Sequence, residues 1–371
     1  MSAPVIMVGD VREQLRVMPA QSVDCVVTSP PYWGLRDYGV EGQIGMEPTL
    51  GEHLDVMVDV FREIRRVLKR HGTVWINYGD CYAAAPNGKS AAAYKADGSD
   101  DRTFRDKPFS TVGPIYQPDR DVSRGTIRAS DGVQRFVTHR EHGGRIVAGG
   151  TLKPKDLCMI PNRLAIALQD DGWWIRSEII WNKTNPKPES ISDRPAAVHE
   201  KIWLLSRSES YFFNPEALRE PVTGNAHARR KDGQYKPAKG SATGNRRAGT
   251  WVETYTAGET RNGRNVWTFN IEGTREAHFA TFPRELARRC IAAGTPLTVC
   301  GCCGAAAGCG GICDSFPRVP GHVIDPFGGS GTVGLVAEAL GYASTLIELN
   351  PEYADIAVRR IAAARPAEAA E

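Results

Sequence analysis

Residues 322–350 read "HVIDPFGGSGTVGLVAEALGYASTLIELN", and this stretch decides the fold. A short apolar run ends at Asp325, a glycine-rich turn and a helix-forming run follow, and a second β-branched run ends at Glu348. Glycines directly after a strand let the backbone approach a ligand and open a helix whose first amides can bind polar groups. The order of strand, turn, helix and strand predicts an α/β fold with a parallel sheet.

The ligand of this turn is predicted from an acid and from the lack of a phosphate-binding lysine. Glu348 lies 23 positions after Asp325, the spacing at which dinucleotide-binding folds hold ribose hydroxyls with a carboxylate. Although Gly329, Gly331 and Gly334 have the spacing GxGxxG, which alone is a weak signal, no Walker lysine comes after the glycines. The pattern therefore favours a nucleoside without a pyrophosphate.

Strands and helices alternate over most of the remaining chain. Apolar and β-branched runs predict strands at 22–29 and 72–79, and apolar residues at helical spacing predict a helix at 53–70. Further helices and strands are predicted within 156–183, 200–208 and 282–294. Residues 83–150 lack periodicity and are interpreted as a long, mobile insertion.

The stretch "VVTSPPYWGLRDYG" at 26–39 ends an apolar run in a hydroxyl, two prolines and two aromatic residues. Proline stops a buried strand because it has no amide hydrogen for a neighbouring strand. A plain turn would favour Gly, Asn or Asp, so the prolines alone do not explain Ser29 and Tyr32.

Composition excludes several classes of protein. The 371 residues are 41% hydrophobic and 24% charged, which is typical of a globular protein. No apolar run is long enough for a membrane span, and no secretory signal is visible. A cytoplasmic location with reduced cysteines is therefore expected.

Positive charge is concentrated in residues 222–265, which contain nine basic and three acidic residues, although the whole chain carries only +3. Tyr235, Trp251 and Tyr255 are interleaved with the basic residues. Cations attract phosphates and aromatic rings stack on bases, so the segment is a candidate nucleic-acid interface. A solvated loop is the alternative. The candidate DNA contacts are Arg229, Arg230, Lys231, Arg246 and Arg247.

The stretch "CGCCGAAAGCGGIC" at 300–313 predicts a structural zinc ion. The candidate ligands are Cys300, Cys303, Cys309 and Cys313, and four thiolates satisfy tetrahedral zinc without an open position. Cys302 is a spare thiol that can replace Cys303 in this scheme. The alternative is a flexible linker with unligated cysteines.

Two motifs together resemble a known family. "TSPPY" at 28–32 and "DPFGGSGT" at 325–332 closely resemble the amino-methylating DNA methyltransferases that use S-adenosylmethionine. The catalytic motif precedes the cofactor motif, which resembles the circularly permuted β group of that family. Further resemblances lie at 8–10, 72–80, 179–188, 199–214 and 278–291 and in the strand that ends at Glu348. The resemblance implies a Rossmann-like methyltransferase fold with a mostly parallel central sheet and loop insertions.

The resemblance also implies roles for individual residues. Ser29 and the carbonyl of Pro30 would accept the amino hydrogens of a flipped base, Pro31 would help to fix that carbonyl, and Tyr32 would stack on the base. The S-adenosylmethionine site would use Glu348 for the ribose hydroxyls, Asp10 near the adenine, and Thr281 and Pro283 at the methionine end. The remaining cofactor residues would be Asp325, Phe327, Gly328, Gly329, Ser330 and Gly331.

The target and partners follow from the same resemblance. The chain has no Pro-Cys pair, so carbon-5 cytosine methylation is not expected. Serine at the first motif position favours cytosine N4 in duplex DNA, with adenine N6 as the alternative. A methyltransferase of RNA or of a protein amide and a non-catalytic, zinc-containing DNA-binding protein are further alternatives. A restriction endonuclease is a candidate partner, and both monomer and dimer remain open.

The motifs divide the chain into five predicted parts. Residues 1–82 and 151–221 form the catalytic half, interrupted by the insertion at 83–150. Residues 222–277 form a basic target-recognition region. Residues 278–371 form the cofactor-binding half, with a cysteine-rich insertion at 300–313.

Overall fold

The computed structural model describes part of the chain, and several predicted residues lie outside that part. The described residues are 3–34, 40–47, 49–83, 126–128, 134–136, 152, 155–186, 188–221, 260–272, 283–306, 313 and 316–365. Outside them lie Arg229, Arg230, Lys231, Arg246, Arg247, Thr281 and Cys309.

Six α-helices and fourteen strands occur among the described residues. The helices are α1 (Val11–Val17), α2 (Leu50–Val67), α3 (Ile160–Asp170), α4 (Arg284–Gly294), α5 (Thr332–Ala339) and α6 (Pro351–Ala364). The strands are β1 (Val5–Val8), β2 (Val23–Thr28), β3 (Leu68–Tyr78), β4 (Thr126–Arg128), β5 (Gln134–Phe136), β6 (Trp174–Lys183), β7 (His199–Ser206), β8 (Glu220–Pro221), β9 (Thr260–Arg261), β10 (Val266–Phe269), β11 (Thr298–Cys300), β12 (Arg318–Pro320), β13 (His322–Asp325) and β14 (Ala343–Glu348).

Eight strands form the main sheet in the order β1-β14-β13-β2-β3-β7-β6-β10. Only β7 in this sheet is antiparallel to its neighbours β3 and β6, and the other pairings are parallel. The predicted fold class, a Rossmann-like fold with a mostly parallel central sheet, is confirmed. Parallel strands end at one edge of a sheet, which is where α/β folds bind their ligands.

One hydrophobic core cluster includes residues of both β2 and α2. Every residue of β2 is buried, as expected for a parallel strand with neighbours on both sides. α2 begins with a capping box in which Thr49 and Glu52 bond each other's backbone amides. Its buried face includes Met57 and Phe61.

Pro215–Arg264 form a separate compact unit. Its described part contains a 3₁₀-helix at Pro215–Leu218 and the antiparallel pair β8 and β9. Glu220 binds both Arg261 and Arg264, with nitrogen–oxygen distances of 3.3 and 2.8 Å.

Among the described residues, no helix combines the length and apolarity needed to cross a bilayer.

Candidate active site

The ends of β2 and β13 bring the two sequence motifs together. These strands pair in parallel, so Thr28 and Asp325 end at the same edge of the sheet. Thr28 Oγ1 donates a hydrogen bond of 2.7 Å to Asp325 Oδ1, and the amide of Phe327 donates to the same oxygen at 3.1 Å. One carboxyl thus connects residues 29–32, here called the SPPY turn, to residues 327–331, the glycine turn.

Asp325 lies beneath these turns, with only 1% of its surface exposed. The pKa of Asp325 is raised to about 7, chiefly by burial and also by the charge of Glu348, while the hydrogen bonds from Thr28 and Phe327 act in the opposite direction. Its contacts make Asp325 a link between the two turns.

Tyr32 is held in one orientation by contacts on several sides. Its hydroxyl donates to Glu200 Oε2 at 2.9 Å, and its ring meets Tyr78 edge-on with centroids 4.9 Å apart. A Cβ at Gly79 would lie 2.5 Å from the Tyr32 ring, so that position excludes a side chain. Ser29 Oγ lies 3.5 Å from Tyr32 Oη and donates to it. Burial and the charge of Glu200 raise the pKa of Tyr32, which therefore stays a neutral donor.

Glu200 connects the SPPY turn with two neighbouring strands. Because β7 is antiparallel, its second residue lies at the edge where the parallel strands end. Asn77 Nδ2 of β3 donates to Glu200 Oε2 at 2.9 Å, and Lys183 of β6 forms an ion pair with Oε1. The sequence interpretation missed this residue, because its position follows only from the antiparallel direction of β7.

A second, buried chain of contacts lies behind the SPPY turn. His53 Nδ1 is 2.8 Å from Glu47 Oε2, and His53 Nε2 is 2.7 Å from the hydroxyl of Tyr78. The Tyr78 hydroxyl also lies 3.2 Å from the carbonyl oxygen of Pro31, to which it donates. The side chain of His53 is fully buried. This series of contacts connects α2 and β3 to the backbone of the SPPY turn.

Glu348, the last residue of the neighbouring strand β14, binds the backbone of the glycine turn. Its Oε2 accepts the amide of Gly329 at 2.7 Å, and its Oε1 accepts the amide of Asn350 at 2.8 Å. Burial raises the pKa of Glu348, and these amides partly offset the rise. A Cβ at Gly328 would lie 2.9 Å from that of Leu346, so the turn approaches β14 too closely for a side chain.

Asp10 caps the first turn of α1. Its Oδ1 accepts the amide of Arg12 at 2.7 Å, and the Arg12 guanidinium pairs with Oδ2 at 2.5 Å. Hydrogen bonding to Arg12 lowers the pKa of Asp10. Asp10 is therefore an ionised acid with a structural role in addition to any contact with a ligand.

One cavity of about 780 Å³ opens onto both turns. Its lining includes the following predicted residues: Asp10, Ser29, Pro30, Pro31, Tyr32, Phe327, Gly328, Gly329, Ser330 and Glu348. Asp325, Gly331 and Pro283 do not line it; Gly331 instead packs against α6, and Pro283 is buried at the start of α4.

These residues fit a nucleoside cofactor. The cavity volume lies in the range of roughly 300–1,000 Å³ that small-molecule sites occupy. A carboxylate at the end of β14 and a glycine-rich turn beside it are the features that bind ribose hydroxyls in related folds.

A family model described as DNA methylase, covering N6- and N4-methyltransferases, matches residues 23–359. The chain belongs to this family. The resemblance predicted from the two motifs is thereby confirmed: this methylase is an S-adenosylmethionine-dependent amino-methyltransferase whose substrate is DNA.

Curated relatives match nearly the whole methylase. It is 37% identical over 356 residues to the Type II methyltransferase M.SmaI of Serratia marcescens, covering 96% of this chain and 90% of the relative. It is 38% identical over 354 residues to the Type II methyltransferase M.Cfr9I of Citrobacter freundii, covering 95% and 86%.

A solved structure shows the same fold. The PvuII DNA methyltransferase, described as cytosine-N4-specific, superposes with a TM-score of 0.53 at 15% identity. The match covers 98% of this methylase and 92% of the PvuII chain. At this identity the likeness supports the fold alone.

Proposed function

We propose that this methylase transfers a methyl group from S-adenosylmethionine to N4 of a cytosine that has been flipped out of duplex DNA. The observation that carries the proposal is that Ser29 and Glu348 line one cavity. A base bound at the SPPY turn and a ribose bound at Glu348 would therefore share one space. Serine at position 29 favours cytosine over adenine.

The base amino group needs acceptors because its lone pair is delocalised into the ring. Ser29 Oγ and the carbonyl of Pro30 would accept its two hydrogens and favour a more tetrahedral nitrogen. Bound S-adenosylmethionine supplies an electrophilic methyl group on a sulfonium. The lone pair of the nitrogen would form the new bond to the methyl carbon, the carbon–sulfur bond would break with its electron pair going to sulfur, and the methylated nitrogen would then lose one proton to water.

The contacts of Ser29 would strengthen it as an acceptor. Ser29 donates its proton toward Tyr32 Oη, which donates to Glu200. Hydrogen bonds in such a chain polarise one another, and this chain ends on a carboxylate. Electron density is thereby directed toward Ser29 Oγ while positive charge develops on the nitrogen. Glu200 is a positioning residue in this scheme, because it acts through Tyr32.

Ser29→Ala tests the proposed role of the hydroxyl. We expect kcat to fall by roughly tenfold or more with little change in cofactor affinity, because the lost hydrogen bond acts on the developing charge. Ser22→Ala is a matched control. Ser22 directly precedes the first residue of β2, whereas Ser29 directly follows the last, and the Ser22 hydroxyl donates to the carbonyl of Pro19. Equal kcat values for the two variants would contradict the proposed role.

Digestion of methylated duplex DNA to nucleosides identifies the target. N4-methylcytosine is the expected product, and N6-methyladenine alone would overturn the cytosine assignment. Labelled methyl transfer to RNA or protein, but not to duplex DNA, would overturn the proposed substrate. An absence of transfer to any of them would favour the non-catalytic alternative.

We further propose that residues 222–265, within the basic region at 222–277, supply most of the target recognition and that a restriction endonuclease is the cognate partner. The positive charge at 222–265 supports the first proposal. The name Type II methyltransferase, which the relatives carry, supports the second.

A further inference from the structure

Three cysteine side chains converge at the small sheet that precedes β13 in the chain. The Sγ atoms of Cys300, Cys303 and Cys313 all lie within 4.8 Å of one another. Cys300 ends β11, which pairs with β12 in a small antiparallel sheet outside the main sheet. Gly321 connects β12 to β13, and its amide bonds the carbonyl of Leu297 at 3.2 Å.

The backbone around Cys300 has the form expected of a ligand loop. The amide of Cys302 donates to Cys300 Sγ at 3.4 Å, an interaction that stabilises negative charge on sulfur. The amide of Gly304 bonds the Cys300 carbonyl at 2.9 Å, and Gly304 has a φ of +71°. This tight turn brings the side chain of Cys303 back toward that of Cys300.

The second half of the loop is fixed to the first by backbone contacts. The amide of Gly301 donates to the carbonyl of Pro317 at 3.0 Å, and a Cβ at Gly301 would lie 2.6 Å from that oxygen. The amide of Phe316 bonds the carbonyl of Cys313 at 3.1 Å. Cys313 is therefore positioned next to the turn that carries the other two cysteines.

We propose that Cys300, Cys303 and Cys313 bind a structural zinc ion. Sulfur atoms around tetrahedral zinc lie about 3.8 Å apart when each bond is about 2.3 Å, and the three Sγ atoms, all within 4.8 Å of one another, are close enough to share one ion. Each thiol loses its proton to solvent when it binds, so the metal affinity falls as pH falls. The ion would stabilise the loop from which the chain enters β13. Zinc at this position is independent of the methyl-transfer mechanism.

The exposed Cys302 provides a matched control within the same turn, because it is outside the cluster. Protein purified without chelator is expected to contain about one zinc per chain. Cys303→Ser and Cys313→Ser should each remove most of this zinc, whereas Cys302→Ser should retain it. Cys309→Ser tests the sequence-predicted fourth ligand, which lies outside the described residues.

A measurement on the unaltered protein covers the case in which the cysteine variants fail to fold. After zinc is removed and cobalt(II) added, a thiolate-to-cobalt charge-transfer band is expected, and zinc should abolish it. The melting temperature should fall on chelation and return with zinc. Folded protein with less than about one tenth of a zinc per chain after purification from zinc-supplemented cells would overturn the proposal. Full zinc retention in both Cys303→Ser and Cys313→Ser would also overturn it.

Discussion

Thr28 and Asp325 are 297 positions apart in the chain, and their side chains share a hydrogen bond of 2.7 Å. Each residue ends a strand, and each is followed by one of the two turns that line the cavity. The relative position of the two turns therefore depends on a contact between buried side chains.

Asp325→Asn should change how stability depends on pH. The pKa of Asp325 is about 7 in the folded protein, against an ordinary value of 3.8, so between these values the folded state keeps a proton that the unfolded chain loses. The free energy of unfolding of the wild type, relative to the variant, should therefore fall as pH rises from about 4 to 7, by up to about 4 kcal/mol. Denaturant unfolding across this pH range measures the difference. If the free energy of unfolding changed with pH in the same way for both proteins, the raised pKa of Asp325 would be contradicted.

Glu200→Gln should lower kcat by roughly tenfold or more while changing KM little, because Tyr32 would donate to a neutral amide instead of a carboxylate. Glu63→Gln is the control, because Glu63 forms its ion pair with Arg66 on α2. If Glu200 acts through Tyr32, the Glu200→Gln effect should be largely lost in a Tyr32→Phe background. Additive effects in that double-mutant cycle would show that Glu200 acts by another route.

Tyr78→Phe should reduce both stability and turnover. It leaves Nε2 of the buried His53 without its partner, which costs about 1–3 kcal/mol of unfolding free energy, and it frees the Pro31 carbonyl. Tyr211→Phe, which removes a hydroxyl bonded to Arg176, should stay within about 0.5 kcal/mol of wild type. Thermal unfolding measures the change in stability, and steady-state kinetics measures the change in turnover. Equal losses in Tyr78→Phe and Tyr211→Phe would argue against a role for the buried hydrogen bonds of Tyr78.

Replacing Arg229, Arg230 and Lys231 with alanine should weaken DNA binding and reduce its salt dependence, because fewer phosphate counterions are released. DNA affinity measured over a salt series tests this expectation, with cofactor affinity as the control for folding. An unchanged salt slope would indicate that the basic segment does not contact phosphates. Arg102, Arg105, Arg124, Arg128 and Arg135 would then be the next candidates.

The fold and the two turns were predictable because both depend on local sequence. β-branched runs gave β2, β13 and β14, and helical spacing gave α2 to within three residues at each end. Strand β3 begins at Leu68, four residues before the predicted start, because α2 passes directly into the strand.

The partners of the SPPY turn were not predictable, because they come from distant strands whose direction and register the sequence does not reveal. Glu200 reaches Tyr32 only because β7 runs opposite to β3. His53 falls on the apolar face of α2 together with Met57, so the helical pattern conceals its polar contacts with Glu47 and Tyr78.

The position of β2 also has a consequence for how the chain folds during translation. β2 is entirely buried, and its neighbours are β3, which follows it closely in sequence, and β13, which is formed by residues 322–325. At about 5–20 residues per second, the ribosome needs roughly 15–60 seconds to add the 297 residues from Thr28 to Asp325. Throughout that interval β2 lacks its β13 neighbour, and such an apolar edge is prone to pair with other chains. The nascent protein is therefore expected to depend on chaperones until β13 has been made.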